Sequence, residues 1–407
     1  MRILINSINY HPELTGIGKY TGEMAEWLAT QGHEVRVVTA PPYYPAWKIS
    51  KDYSSHGYRR EKLNGVAVVR CPLWVPERPS GLQRVVHLAS FALTSFPIML
   101  WNGWVWKPDL VFAVEPPLFC SVGALMASRL ARCDAWLHVQ DFEVDAAFEL
   151  GILKAQWLRK VVESTERWLL RKFNRVSTIS DRMLARLDAK GVAKKNQILF
   201  ENWADLDQIY PLGDTSTFRR ELGVPEGYTV LLYSGNMGKK QGLELLVAAA
   251  KKLHIRRDLF FVLCGDGVAR VELEVMAAGL ANIKFLPLQP INRLNELLNL
   301  ADIHLLPQRV GAEDLVMPSK LVNMLASGRP IIATASTGTQ IESIVREAGG
   351  VVEPGDLDGF VQRIEHFADN PELCRRLGQS GRELAVKRLG KKGILSKAFA
   401  SYDVGHK

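Results

Sequence analysis

Short aliphatic runs alternate along the chain with longer stretches in which apolar positions recur every three to four residues. Arg2–Asn6, Glu34–Thr39, Val66–Cys71, Leu110–Val114, Ala135–Val139 and Val176–Ile179 are strand candidates in the first half. Val230–Tyr233, Phe260–Cys264, Ile283–Leu286, Ile303–Leu306 and Pro330–Ala333 repeat the theme in the second. Such short apolar runs, separated by amphipathic segments such as Tyr20–Gln31, predict parallel sheets with helices on both faces. The alternation pauses at Asn202–Asp207 and Pro211–Gly213. The expected architecture is therefore α/β, with two doubly wound, Rossmann-like domains facing a central cleft. Their expected bounds are 1–203 and 204–385, with 386–407 a terminal helix packing back on the amino-terminal domain. In open α/β sheets, ligands bind outside the carboxyl ends of the strands.

A length of 407 residues suits two domains of ordinary size. The formal net charge of +8 favours an anionic partner. The five cysteines are scattered, odd in number and without a CxxC pair, which argues against a disulfide framework or structural zinc and fits a reducing cytoplasm. Met1-Arg2 runs straight into Ile3–Ile5, too short an apolar core for a signal peptide, so secretion is not expected.

Val85–Trp106 is apolar, rich in tryptophan at its end and flanked by Arg78, Arg84 and Lys107. Its length approaches the roughly 20 residues a membrane span needs. Polar interruptions at His87, Ser90, Thr94, Ser95 and Asn102 favour either a buried crossover helix or a helix lying in the membrane interface. The basic, amphipathic stretch Lys154–Lys172 is a second candidate for contact with anionic lipid.

The candidate chemistry lies at strand ends. After Val230–Tyr233 comes a loop with Gly235, Asn236, Met237, Gly238, Lys239, Lys240 and Gly242, and then a helical pattern. Strand, glycine loop and helix N-terminus hold phosphate through bare backbone N–H groups and the helix dipole. Asp266 and Gly267 follow Phe260–Cys264, where a tight turn brings backbone close to a ligand. Pro318, Ser319 and Lys320 open a third helix. Loops that gather phosphate favour a phosphorylated substrate, and nucleic acid is not expected as a partner.

In the first half, Gly16, Gly18 and Gly22 follow Arg2–Asn6 as GxGxxxG, begin well after the strand, and lack an acidic residue at the end of the next strand. A nicotinamide or flavin cofactor is disfavoured by that spacing. Gln140 and Asp141 end the strand near Ala135, with His138 expected as a satisfied core residue. The strings Asp205-Leu206-Asp207 and Asp356-Leu357-Asp358 do not follow buried strands and read as turn chemistry.

With these motifs the chain resembles retaining glycosyltransferases of family 4, of GT-B fold, over essentially its whole length. The resemblance rests on Leu28–Val35 (LATQGHEV), Asn202–Asp205 (NWAD), the SGNMGKKQGLE loop, Gly265-Asp266-Gly267, and Pro318-Ser319-Lys320 with Leu325–Pro330. More closely it is similar to colanic acid biosynthesis members, from ELTGIGKYTGE and MPSKL. The resemblance implies a nucleoside diphosphate sugar, GDP-fucose, as donor, bound by the carboxy-terminal domain. It also implies a polyprenyl-diphosphate-linked oligosaccharide acceptor on the amino-terminal domain, at the inner face of the cell membrane.

No metal or other cofactor is implied, because basic side chains and helix N-termini neutralise the diphosphate. Lys239, Lys240, Ser319, Lys320 and the loop amides would hold the diphosphate, while Asp266 and Asn323 would address hydroxyls. Gln140, Asp141 and Lys240, with the Gly16–Gly18 loop, would serve the transferring sugar. Asn236 and Gln241 stand where the family commonly has Arg and Lys, and Asn323 stands where it has the second of two glutamates. A nucleotide-sugar 2-epimerase of the same architecture, or a membrane-associated nucleotide-sugar-binding protein without turnover, are the rival readings.

Overall fold

The computed structural model describes residues 1–13, 16–77, 81–142, 156–213, 215–224, 226–238, 241–309 and 319–403. The chain forms two compact units, Met1–Glu201 and Asn202–Lys407.

The first unit holds an eight-stranded sheet. Its strands are β1 (Arg2–Asn6), β2 (Glu34–Thr39), β3 (Arg59–Leu63), β4 (Val66–Arg70), β5 (Leu110–Glu115), β6 (Asp134–Val139), β7 (Arg175–Thr178) and β8 (Gln197–Leu199), in spatial order β3-β4-β2-β1-β5-β6-β7-β8. All neighbours are parallel except β3 and β4. The exception is a hairpin turned at Asn64-Gly65, both at positive φ, the pairing that a two-residue primed turn requires. β1 and β5 are adjacent, and the chain order runs away from them in both directions. The topological switch point therefore lies where β1 and β5 end.

The second unit repeats the plan with six parallel strands: β9 (Thr229–Ser234), β10 (Leu259–Cys264), β11 (Ile283–Leu286), β12 (Ile303–Leu306), β13 (Ile331–Thr334) and β14 (Gly349–Val352), ordered β11-β10-β9-β12-β13-β14. Strand alternation explains why Val230–Tyr233 of β9 and all of β10 are apolar at every position. Leu231, Tyr233, Phe261 and Leu263 enter one core, while Val230, Leu232, Phe260 and Val262 enter the opposite one. The switch point here lies between β9 and β12.

The helix expected over Val85–Trp106 spans Gly81–Trp101 and continues as a π-helical turn, Asn102–Trp106. His87, Phe91, Ser95 and Met99 recur every fourth residue and are buried, the stripe a surface helix turns toward its core. It is long and apolar enough to cross a membrane by length and composition, yet that stripe is covered by the first unit. The terminal helix, Lys391–Asp403, was expected to return to the amino-terminal half. It begins from ties to the start of the second unit: Ala204 N–H donates to the Leu389 carbonyl at 2.8 Å, and Lys391 N–H to the Ala204 carbonyl at 3.0 Å.

Candidate functional site

The ends of β9 and β10 are docked backbone to backbone. Gly235 N–H donates to the Cys264 carbonyl at 3.0 Å, and Met237 N–H to the Asp266 carbonyl at 2.8 Å. The Ala269 N–H returns to the Met237 carbonyl at 2.9 Å. Only glycine fits two of these positions. A Cβ on Gly265 (φ +155°) would stand 1.9 Å from the Gly235 oxygen, and one on Gly267 (φ +151°) 2.6 Å from both the Met237 oxygen and Asn236 Oδ1. Arg270 braces the turn from below, its guanidinium donating to the Gly265 carbonyl at 2.6 Å and the Leu286 carbonyl at 3.1 Å.

Two further segments close on the same loop. Lys320, in the first turn of helix Ser319–Ala326, sets its ammonium 4.5 Å from the centre of the Tyr233 ring and 3.4 Å from its hydroxyl. That hydroxyl donates to the Asn236 carbonyl at 2.6 Å, and burial keeps the phenol protonated. The stem of Lys320 passes over Gly235, whose added Cβ would meet it at 3.6 Å. From the end of β12, Arg309 pairs with Glu244 at the start of helix Glu244–Lys252, and its backbone approaches Gly242. Gly235, Asn236, Met237, Gly238, Asp266, Gly267 and Lys320 thus gather at the switch point of the second sheet.

Asn323 lies one turn beyond Lys320. Its Oδ1 and the Oε1 of Gln241 are buried and meet no hydrogen-bond donor among the described residues. A buried acceptor without a partner costs about 1–3 kcal/mol, and a bound hydroxyl or N–H group recovers it. Lys239, Lys240 and Pro318 lie outside the described residues. Tyr233 and Arg270 are additions to the expected set. Tyr233 was hidden inside a strand candidate as a core residue, and Arg270 carries no sequence signal beyond its nearness to Gly267.

In the first unit, the glycines expected as a loop occupy the first two turns of helix Gly16–Thr30. Close packing explains two of them. An added Cβ at Gly18 would stand 2.8 Å from the buried Glu13 side chain, and one at Gly22 would strike the His11 ring at 2.4 Å. Glu13 accepts from the Tyr43 and Tyr44 N–H groups, both at 2.9 Å, and from Asn9 Nδ2 at 2.8 Å. It therefore fastens the loop after β1 to the loop after β2, while burial raises its carboxyl above the usual range.

At the end of β6, His138 is buried between Ser177 Oγ, 2.8 Å from Nδ1, and Gln140 Nε2, 2.9 Å from Nε2. Burial lowers its pKa to about 3, so it is neutral and structural, as its strand position suggested. Gln140 spends its side-chain amide on this histidine, and Asp141 is exposed beside it. The DxD strings are turn chemistry: Asp205 and Asp207 pair with Lys391 and Lys392. Asp356 caps helix Leu357–Ala368 through Gly359 N–H at 2.9 Å, and Asp358 pairs with Lys252.

Residues 15–203 match the family of glycosyl transferase 4-like domains, and residues 214–384 match glycosyl transferases group 1. The chain is 42% identical over 407 residues to WcaI of Escherichia coli (strain K12), a glycosyl transferase assigned to colanic acid biosynthesis, covering 97% of this chain and 98% of that one. Among solved structures, sucrose-phosphate synthase from Thermosynechococcus elongatus superposes with a TM-score of 0.76 at 18% identity, covering 99% and 98% of the two chains. Anabaena Alr3699/HepE in complex with UDP and glucose gives 0.70 at 15% identity, covering 99% and 100%. These two likenesses bear on the fold. Both units, their switch points and the near full-length identity agree, and the chain belongs to the GT-B glycosyltransferases, joining a glycosyl transferase 4-like domain to a group 1 domain.

Proposed function

We propose that this glycosyltransferase moves fucose from GDP-fucose to a polyprenyl-diphosphate-linked acceptor in the synthesis of a colanic-acid-like exopolysaccharide, with retention and without a metal ion. The observation that carries a nucleotide-sugar site is the convergence at the β9–β12 switch point. Backbone loops docked through glycine, the Lys320 ammonium and two buried acceptors that meet no donor among the described residues come together there. The similarity to WcaI, a glycosyl transferase assigned to colanic acid biosynthesis, favours an exopolysaccharide product, and the GDP-fucose donor is what the resemblance to colanic acid biosynthesis members implies.

In this reading Lys320, Lys239, Lys240, Ser319 and the amides of Asn236 and Gly238 neutralise the diphosphate, with Pro318 assigned to the same site; the Gly235 and Met237 amides, expected to share that role, are bonded instead to the Cys264 and Asp266 carbonyls. Asn323, Gln241 and Asp266 take hydroxyl or base N–H groups. The bond from the sugar's anomeric carbon to the diphosphate oxygen breaks as an acceptor hydroxyl bonds to that carbon on the same face. The hydroxyl proton passes to the departing phosphate, so no protein nucleophile is assigned. Charge developing on that phosphate is where fixed cations and N–H groups act most strongly. Gln140 and Asp141 are assigned to the transferring sugar, and Gly16 and Gly18 to the helix turn that presents the first unit's loop. The enzyme works at the cytoplasmic face of the membrane, held there by Val85–Trp106 and the basic Lys154–Lys172 segment.

The test is one assay with purified protein, a panel of GDP- and UDP-sugars, and membrane extract containing lipid-linked acceptors. Fucose entering the lipid fraction with GDP release is the expected result. Epimerised sugar without nucleotide release would identify a 2-epimerase, and donor binding without product under every pairing would leave a binding protein.

A further inference from the structure

The first unit carries a cavity of about 710 Å³ that the transfer chemistry above does not use. Ligand pockets commonly fall between about 300 and 1,000 Å³. It opens at the carboxyl edge of the sheet. Trp47, Lys48 and His56 come from the loop after β2, Trp74 from the loop after β4, and Ser90 and Thr94 from helix Gly81–Trp101. Its walls are built structure. The Trp74 N–H donates to Ser90 Oγ at 3.1 Å, Thr94 Oγ1 donates to the Pro72 carbonyl at 2.7 Å, and the Trp47 ring lies 5.2 Å from that of His87.

The same helix presents a second surface beside Ser90 and Thr94. Leu82, Val86, Leu93, Pro97 and Trp101 fall on one face at helical spacing and are exposed, Leu93 at 75%. The helix Cys120–Ala131 packs along the far flank, so closely that a Cβ on Gly103 would stand 2.6 Å from the Ala127 oxygen. It adds the exposed side chains of Val122, Met126 and Leu130, with Phe119 just before its start. An aromatic-walled cavity thus borders a continuous apolar platform. Cations stand at the cavity: Lys48 lines it, and the Arg84 guanidinium lies 5.4 Å from the Trp47 ring. Glu77 is the one acidic residue of the lining.

We propose that this cavity and stripe form the acceptor site, with the saccharide in the cavity against Trp74, the diphosphate at Lys48 and Arg84, and the polyprenyl chain along Leu82, Val86 and Leu93. The assignment rests on the lipid-linked acceptor of the preceding reading and gives it a place on the chain. Each part of the acceptor meets a matching surface: the aromatic faces of the cavity take the pyranose, the cations beside it the diphosphate, and the apolar stripe on the helix's outer face the isoprenoid.

Farnesyl diphosphate serves as the probe of the anchor, and lipid-linked glycans extracted from membranes serve as the acceptor. Binding of the probe is followed by calorimetry, with GDP present to occupy the donor site. Wild type should bind farnesyl diphosphate under saturating GDP, and the probe should compete with extracted acceptor. Leu93→Glu and Arg84→Gln should each weaken probe binding at least tenfold. Trp74→Ala should raise the KM for extracted acceptor at least tenfold, with the donor KM and probe affinity within twofold of wild type. Abolition of probe binding by GDP, or indifference to Leu93→Glu and Arg84→Gln, would overturn the site. Saccharide placement fails if Trp74→Ala leaves the acceptor KM unchanged. Probe binding with the expected sensitivity but no sugar transfer would support the anchor site while refuting the fucosyl transfer.

Discussion

Substituting Gly267 by alanine tests the site at its narrowest point. The added methyl would stand 2.6 Å from the Met237 oxygen and from Asn236 Oδ1, against a practical minimum of about 3 Å for carbon–oxygen contacts. The loops after β9 and β10 must therefore part by several tenths of an ångström, stretching the 2.8 and 2.9 Å hydrogen bonds that join them. A side chain at φ +151° adds strain of about 1–3 kcal/mol, and overpacking adds about 1–3 kcal/mol more. If half of that combined cost falls on the geometry the donor requires, affinity drops by about 1–3 kcal/mol, roughly 5- to 150-fold at 1.4 kcal/mol per decade. Calorimetric titration with GDP measures it directly. Gly279→Ala is the control: it also has positive φ, but nothing lies within 4 Å of an added Cβ, so it should cost stability alone. A GDP affinity for Gly267→Ala within twofold of wild type, with melting temperature equally unmoved, would refute the role given to the docked loops.

Lys239→Ala combined with Lys240→Ala should reduce GDP affinity at least tenfold in the same titration, because each would remove a cation from the proposed diphosphate site; an unchanged Kd would remove the lysines from the donor site. His138 and His304 are both buried with pKa values lowered to about 3, against about 6.5 in the unfolded chain. Between those values the unfolded state binds the proton and the folded state does not, so stability is intact above pH 6.5 and lost as pH falls, by about 1.4 kcal/mol per pH unit for each histidine. Urea unfolding at pH 7 and 5 should show a loss of about 4 kcal/mol in total, smaller in His304→Gln, and a flat profile would contradict the neutral assignment. Flotation with anionic liposomes should be lost on replacing Trp101 and Trp104, exposed at 62% and 68%, with alanine; retained flotation would argue against interfacial anchoring there.

The central strands were legible because their physics is written at every position. β1 and β12 keep their predicted bounds, since burial on both faces demands a nearly continuous apolar run. Edge strands escaped that rule. β3 reads Arg-Arg-Glu-Lys-Leu and is largely exposed, so its only signal was the Asn64-Gly65 turn joining it to β4. β14 begins Gly349-Gly350, where a Cβ on the first would stand 1.8 Å from the Ile331 oxygen; close backbone approach there looks like a loop in the sequence. The same contrast holds at the site. Glycines marked the docked loops of the second unit, because positive φ and tight contact leave no other residue. In the first unit the glycine pattern reports packing against Glu13 and His11, which spacing alone does not distinguish from a ligand loop. Asn323 drew notice through the resemblance, and its orphaned oxygen emerges only from the three-dimensional surroundings.

The ties at Ala204 carry a consequence for how such proteins diversify. The strand of chain that enters the second unit is bonded on both sides to the segment that precedes its last helix, through Leu389 and Lys391, and the Asp205–Lys391 pair locks the join. Entry and exit are one knot. A domain clasped in this way is a self-closing cassette: recombination that swaps residues from Asn202 onward carries its own fastener, whereas a crossover between Asp205 and Lys391 separates the halves of the clasp. If the second unit holds the donor as proposed, new donor specificities can be acquired by exchanging that unit whole.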